Sequence, residues 1–352
     1  MEFGVQFFPS VGPALKPADQ YWREALYLTR LAEDLGFTSV RTVEHYFHPY
    51  GGYSPNPLVF LSAVAAQTKT IRVITGAVLP VFNNPLKLAG EIGMVDAISG
   101  GRLEVGFARA FLPHEFAHFG ISMDESRARF DEGLEQVQLL LEGENVTHSG
   151  RFHSFSDVTS LPRPTQKPRP PFWIASISTP QSFEMCGRNG HSMMAIPLAS
   201  EATAKLVALY RQSWKEAGHA GNGRVMLAFN MFCAPSREEA LAKSKEDHEH
   251  YLTAIADGAA GWGKGVTSKD YPNYEKMYAA LSSENYNSTV AKRTAWIGTP
   301  HDIIQSAEIY NRECGGFDIA SFQVNFGNMP LETAKASMQL FAKECLPHLS
   351  NV

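Results

Sequence analysis

A closed (β/α)8 barrel is the fold class that three observations on this sequence predict. Short apolar runs alternate with helix-period segments along most of the 352 residues, the pattern of βα units around a parallel sheet. About eight such runs can be counted, each followed by a helix except where insertions intervene, and eight is the number of strands in such a barrel. No GxGxxG follows the first run, which counts against the alternative, an open doubly wound sheet that binds dinucleotides. Length alone would suggest about two domains, but α/β barrels use this length as one unit, and residues 1–352 are read as a single domain.

The first unit is a strand over residues 3–8, a linker, and a helix over residues 21–35 that Gly36 stops. A strand over 39–43 follows, then a helix over 58–68 behind Pro57. Residues 72–79 form the third strand, and the helix over 85–98 opens on a proline, which suits a first helical turn. Gly100 and Gly101 end it, and residues 102–108 read as the fourth strand. In the helix over 126–141, Phe130, Leu134, Val137 and Leu141 share one face.

Residues 142–171 are polar and proline-rich, with no helical period. Because a strand over 172–176 follows, they are read as an excursion within the domain. Strands over 191–197 and 225–234 precede helices over 201–217 and 237–256; the last strand covers 319–324 and the closing helix 331–346. Residues 257–296 differ: they hold Gly258, Gly261, Gly263 and Gly265, four tyrosines and little periodicity. A stretch of this kind is either a functional lid or a disordered insertion.

Composition narrows the partners. Lys and Arg number 31 against 36 Asp and Glu, a net charge of −5, so a broad basic surface for nucleic acid is not expected and any phosphate site must be local. Charged residues make up 19% of the chain and hydrophobic ones 44%, enough for a large core. No run approaches the roughly 18 apolar residues of a membrane helix. The four cysteines (Cys186, Cys233, Cys314, Cys345) are far apart, and the N-terminus lacks a basic, cleavable leader. The expectation is a cytoplasmic chain with no nucleic-acid or membrane partner.

In such barrels the active site lies at the C-terminal ends of the strands. That rule selects Glu44, His45 and His48 after the second strand, Phe82 and Asn83 after the third, Arg109 and Phe111 after the fourth, and Ser176, Ser178 and Thr179 after the fifth. Ser176 to Thr179 ahead of a helix read either as an ordinary Ser/Thr cap or as an anion cradle. Arg109 favours the cradle, since a guanidinium fork matches phosphate. His45 has the intrinsic pKa for proton transfer; its plain reading is a hydrogen-bonded histidine in a polar loop. No metal site is expected, because His45 and His48 lack a third ligand at any recognisable spacing.

The segments Glu44-His45-Tyr46-Phe47, residues 76–80, 99–109 and 126–130, Gly298-Thr299-Pro300, and residues 337–341 together resemble the bacterial luciferase-like family of flavin-dependent monooxygenases, in order and over nearly the whole chain. The resemblance implies a (β/α)8 barrel that takes reduced FMN from a separate reductase, uses dioxygen as co-substrate, and forms a homodimer. It implies that Arg109 contacts the flavin phosphate, that Ala175, Ser176, Ser178 and Thr179 cradle it, and that Gly76 and Ala77, joined by a cis peptide, lie beneath the flavin. It implies a catalytic role for His45.

Three positions depart from the light-emitting members. Ala108 stands for a reactive cysteine, Tyr46 for a second histidine, and Leu112 for a tyrosine near the phosphate. These bear on light emission and an aldehyde substrate rather than on flavin binding. The expected activity is oxygenation of a small apolar or aromatic organic substrate. Phe7, Phe82 and Phe111 would wall the site and residues 257–296 would close it. The alternatives are a deazaflavin-dependent oxidoreductase on the same barrel and a non-catalytic flavin-binding partner subunit.

Overall fold

The structure, a computed structural model, describes residues 1–349. It begins β1 (Glu2–Phe7), α1 (Ala18–Asp34), β2 (Ser39–Thr42), α2 (Pro57–Gln67), β3 (Arg72–Val78), α3 (Pro85–Ser99) and β4 (Leu103–Phe107). Then come α4 (Pro113–Phe119), α5 (Ser126–Glu142), the hairpin β5 (Val146–Ser149) and β6 (Ser154–Val158), β7 (Phe172–Ser176), α6 (Pro180–Arg188), β8 (Ser192–Ala195) and α7 (Ser200–Glu216). The rest is β9 (Val225–Cys233), α8 (Arg237–Gly258), α9 (Ala260–Gly263), α10 (Tyr274–Ser283), α11 (Tyr286–Ala291), β10 (Ala295–Gly298), α12 (Pro300–Glu313), β11 (Ile319–Gln323), α13 (Leu331–Glu344) and α14 (Leu346–Leu349).

Eight strands pair in parallel in the order β1–β2–β3–β4–β7–β8–β9–β11 and back to β1, so the ring has no free edge. The predicted barrel is therefore present. Local signals start and stop its helices: Asn56 and Asn84 cap α2 and α3 by accepting from the N–H of Leu58 and Leu86, each ahead of a proline. Gly100, at φ 63°, ends α3 in the left-handed conformation. A capping box between Thr299 and Asp302 opens α12.

Three readings need correction. The stretch 257–296 is not structureless: it folds into α9, α10, α11 and the first half of β10. Neither α10, which has no fully buried residue, nor the four-residue β10, buried throughout, has a length or period that stands out in sequence. β10 runs parallel to the last turn of pairing in β9, from Asn230 to Cys233, as a ninth strand. The excursion 142–171 carries the antiparallel hairpin β5–β6. Finally, the closing helix stops at Glu344, with the short α14 built around Pro347 after it.

Side-chain alternation sorts the barrel residues into two cores. Along β1, Phe3, Val5 and Phe7 face the helices, and Phe7 meets Phe60 of α2 edge-on at 5.7 Å. Gln6 and Phe8 face the lumen. Phe7 thus supports the helix layer, and its neighbour Phe8 is the one that reaches the mouth. The lumen is filled by Ile74, Trp173, Met194, Met226 and Ile319. Deep in it, the buried carboxylate of Glu104 accepts from the indole N–H of Trp173, pairs with Arg72, and lies 3.5 Å from Arg224. The Gly76–Ala77 peptide in β3 is cis, as the resemblance implies.

Glu104→Ala would strand the buried indole N–H of Trp173 and remove the carboxylate that Arg72 pairs with, while Arg224 keeps Glu2. It should lower unfolding free energy by about 1–3 kcal/mol, read from the urea midpoint at a fixed slope; an unchanged midpoint would mean that the cluster contributes nothing.

Candidate active site

All eight residues to which the resemblance gives a role line one cavity at the C-terminal mouth of the barrel: His45, Gly76, Ala77, Arg109, Ala175, Ser176, Ser178 and Thr179; of the other strand-end candidates, His48, Phe82 and Asn83 do not. Its volume is about 780 Å³, inside the range of small-molecule and cofactor pockets. Phe8, Val43, Leu79, Phe111 and Ile255 supply much of its apolar wall. Phe111 is where the sequence placed it. Phe82 is not: it stacks on Phe119 at 4.6 Å and meets Phe116 at 5.1 Å, behind the wall.

His45 leaves β2 with its ring among Phe8, Tyr50 and Phe111, at centroid distances of 5.5, 5.3 and 6.1 Å. Its Nδ1 lies 3.0 Å from Oε1 of Glu115, a residue of α4 whose side chain is fully buried. The same oxygen accepts from the backbone N–H of Tyr46 at 2.9 Å. A carboxylate held this way accepts a hydrogen bond from Nδ1–H and leaves Nε2 as the nitrogen without a partner among the described residues. Gly51, at φ +81°, permits the arrangement, since a Cβ there would fall 2.6 Å from the His45 ring. Sequence reasoning missed Glu115: the helix that presents it is seven residues long, and nothing in its spacing ties it to His45, 70 positions away.

Glu44, beside His45, also lines the cavity and sits in a cage of donors. It accepts from the Tyr46 hydroxyl at 2.5 Å, the Asn83 amide at 2.8 Å and the Leu79 N–H at 3.0 Å. Burial nevertheless pushes its carboxyl up from 4.5 to about 7, and the charge of Glu115 adds to the rise.

The polar end of the cavity is built by β4, α5 and the start of α6. Thr179 precedes α6 but makes no side-chain cap bond, so the ordinary-cap reading of its hydroxyl is not realised; the hydroxyl meets that of Tyr274 instead. Arg109 lies over the Tyr271 ring at 4.8 Å and donates to the carbonyl of Asp270 at 3.0 Å. Arg127 of α5 also lines the cavity, and its guanidinium makes no hydrogen bond among the described residues. Both arginines act on Asp131, whose carboxyl burial raises and their charges lower. Arg127 was not selected from the sequence because it lies within an amphipathic helix rather than at a strand end.

The segment 257–296 forms one side of this mouth. Tyr274, Met277 and Leu281 of α10 face the cavity. Besides the Arg109–Asp270 contact, bonds that tie the segment to the loop after β4 and to α5 include those from the Tyr271 hydroxyl to Ala110 at 2.9 Å, the Trp262 indole to Phe111 at 3.0 Å, and the Arg127 N–H to Asp270 at 2.9 Å. Among the described residues no helix is long and apolar enough to cross a membrane, and no group of three or more metal-ligating side chains gathers.

Comparison with known proteins places these features in context. The model of the family described as luciferase-like monooxygenase matches residues 1–314. The chain is 29% identical to the oxygenase component of the flavin-dependent trigonelline monooxygenase of Acinetobacter baylyi, over 94% of this chain and 91% of that protein. It superposes on the crystal structure of the monooxygenase RslO1 from Streptomyces bottropensis with a TM-score of 0.88 and 44% identity, covering 99% of both chains. The oxygenating constituent of 3,6-diketocamphane monooxygenase from Pseudomonas putida, solved with FMN, shares the fold at a TM-score of 0.82 and 21% identity, covering 99% of this chain and 98% of that one.

Glu44 yields a stability prediction. Below pH 4.5 both folded and unfolded chains carry its proton; between 4.5 and about 7 only the folded chain does; above 7 the folded carboxyl must ionise where it is buried. Its contribution is therefore complete at low pH and is lost as pH rises through 7, by roughly 3 kcal/mol. The difference in unfolding free energy between wild type and Glu44→Gln should shift by that amount between pH 5 and pH 8, and a difference independent of pH would contradict the assignment.

Proposed function

The chain belongs to the luciferase-like monooxygenase family, and on that premise we propose that it is the oxygenase of a two-component, FMN-dependent system. It would accept reduced FMN from a separate flavin reductase and use dioxygen to oxygenate a small apolar or aromatic organic molecule. The observation that carries the reading is the polar end of the cavity: two arginines and a threonine hydroxyl not used to cap α6, in the same cavity as a histidine with a free nitrogen. The 44% identical RslO1, a monooxygenase, and the Acinetobacter oxygenase component support the same reading.

The residues suit FMN on their own chemistry. A phosphate dianion needs a guanidinium fork and several hydrogen-bond donors. Arg109, Arg127, Ser176, Ser178, Thr179 and the Gln181 N–H at the start of α6 provide them. Gly76 and Ala77 add no bulky side chain of their own where a flat ring would lie. When bound in its reduced form, FMN supplies the reducing electrons and the activation of dioxygen.

The protein's share is binding, orientation and proton handling. Arg109, Arg127 and the hydroxyls hold the phosphate; Phe8, Phe111 and α10 keep water from the reacting end. His45, through Nε2, moves a proton to or from the reacting oxygen or the substrate, a contribution of roughly 10²–10⁴ in rate. Glu115 is a positioning residue that keeps Nδ1 protonated and the ring aimed. The reading also takes the chain as a cytoplasmic homodimer; its four cysteines, all free and buried, suit a reducing compartment.

Titration with FMN and with the deazaflavin F420, followed by flavin fluorescence, tests the cofactor: FMN should bind and F420 should not, and the reverse would identify a deazaflavin enzyme. Arg109→Ala should weaken FMN by about 10–100-fold, the worth of a charged hydrogen bond; equal affinity would discard its phosphate role. His45→Ala should keep FMN affinity while oxygen-dependent turnover of the first active ketone, aldehyde or polyketide collapses. Glu115→Gln should displace the pH profile of turnover without changing FMN affinity.

A further inference from the structure

Arg41 is the third residue of β2, where alternation turns its side chain into the barrel lumen. Other positions at this level carry Met194, Ala228 and Gly76. Arg41 is only 8% exposed, and its stem crosses Gly76 so closely that a Cβ there would lie 2.2 Å from Cδ. A guanidinium has five N–H donors. Two contacts are made: one to the side-chain oxygen of Gln6, and one to the sulfur of Met194 at 3.5 Å. Its Nε–H has no partner.

No carboxylate compensates the charge. Among the described residues Arg41 makes no ion pair, whereas the arginines deeper in the barrel, Arg72 and Arg224, share Glu104. The groups that face it are Gln6 from β1, Gly76 from β3, Met194 from β8, Tyr50 from the loop after β2, and Tyr251 from α8. All are neutral, since burial raises the hydroxyls of both tyrosines. Burial lowers Arg41 itself to about 10, so it stays charged at neutral pH. Buried guanidinium groups are ordinarily paired, because an unpaired one carries the full cost of leaving water. Here the group lines the floor of the cavity, below the apolar wall of Phe8, Val43 and Ile255.

We infer that Arg41 is the receptor for an anionic oxygen of the substrate, a carboxylate or ring oxyanion carried on an otherwise apolar molecule. The inference rests on reading the cavity as the flavin and substrate site, and it narrows the substrate class to organic acids. Arg109 and Arg127 attend to the phosphate at the other polar group of the cavity, while Arg41 selects and orients the molecule to be oxygenated. A fork with a free Nε–H suits a two-oxygen acceptor.

The probe is benzoate, with benzamide as its neutral match, titrated calorimetrically into the full chain with and without FMN. Wild type should bind benzoate at least about tenfold more tightly than benzamide, and Arg41→Met should erase that preference. Arg41→Met should also keep or raise Tm, because a buried unpaired charge goes with it, and should leave FMN affinity within about twofold. Equal binding of benzoate and benzamide by wild type overturns the inference without recourse to any variant. So does an Arg41→Met protein with a lower Tm, which would make the guanidinium part of the scaffold. Loss of FMN affinity in Arg41→Met with benzoate binding intact would assign the group to the cofactor and overturn it as well. Arg41-dependent benzoate binding by a wild type that binds no FMN would keep the anion receptor and remove the flavin reading instead.

Discussion

The alternation of side chains along eight parallel strands, closed into a ring, decides what this protein can do. Every second residue must enter a lumen too narrow for water and too crowded for more than one layer of large side chains. Ile74, Trp173, Met194, Met226 and Ile319 fill the middle, and Glu104 neutralises the arginines below them. What is left at the top is a floor made of Gln6, Arg41, Gly76 and Ala228. The chemistry of the site is the chemistry of those residues and of the loops that rise from the strand ends beside them.

Much of this was legible in the residues. Strand ends are easy to find when short apolar runs are punctuated by proline and glycine, and the rule that barrels work at their C-terminal face then picked His45, Arg109 and the Ser176–Thr179 group with no tertiary information. The step from strand end to wall was less secure. Phe7 and Phe8 are adjacent and equally apolar, and only the register of β1 says that the first supports α2 and the second faces the cavity. Phe82 failed for a different reason: it sits in a loop, where no alternation applies, and it joined an aromatic cluster with Phe116 and Phe119 instead.

Residues brought in from helices were not legible at all. Glu115, Arg127 and Tyr274 come from α4, α5 and α10; Glu115 and Tyr274 meet His45 and Thr179 across dozens of residues of chain, and Arg127 enters the cavity from within an amphipathic helix. Arg41 was hidden by its setting: in the sequence it is one charged residue inside an apolar strand, and its meaning depends on finding no carboxylate within reach. The segment 257–296 hid α10 because that helix buries no residue fully and borrows its stability from the mouth it covers. Function here is assembled from strand ends that announce themselves and helix faces that do not.

The charges of the cavity divide its labour. A pair of arginines with the Thr179 hydroxyl marks one end, and a histidine steadied by a buried carboxylate marks another. Diffraction from crystals soaked with FMN tests this division most directly. The account predicts the phosphate against Arg109, Arg127 and Thr179 with the flavin ring facing His45. A flavin bound outside this cavity, or one whose phosphate lies away from both arginines, would contradict it.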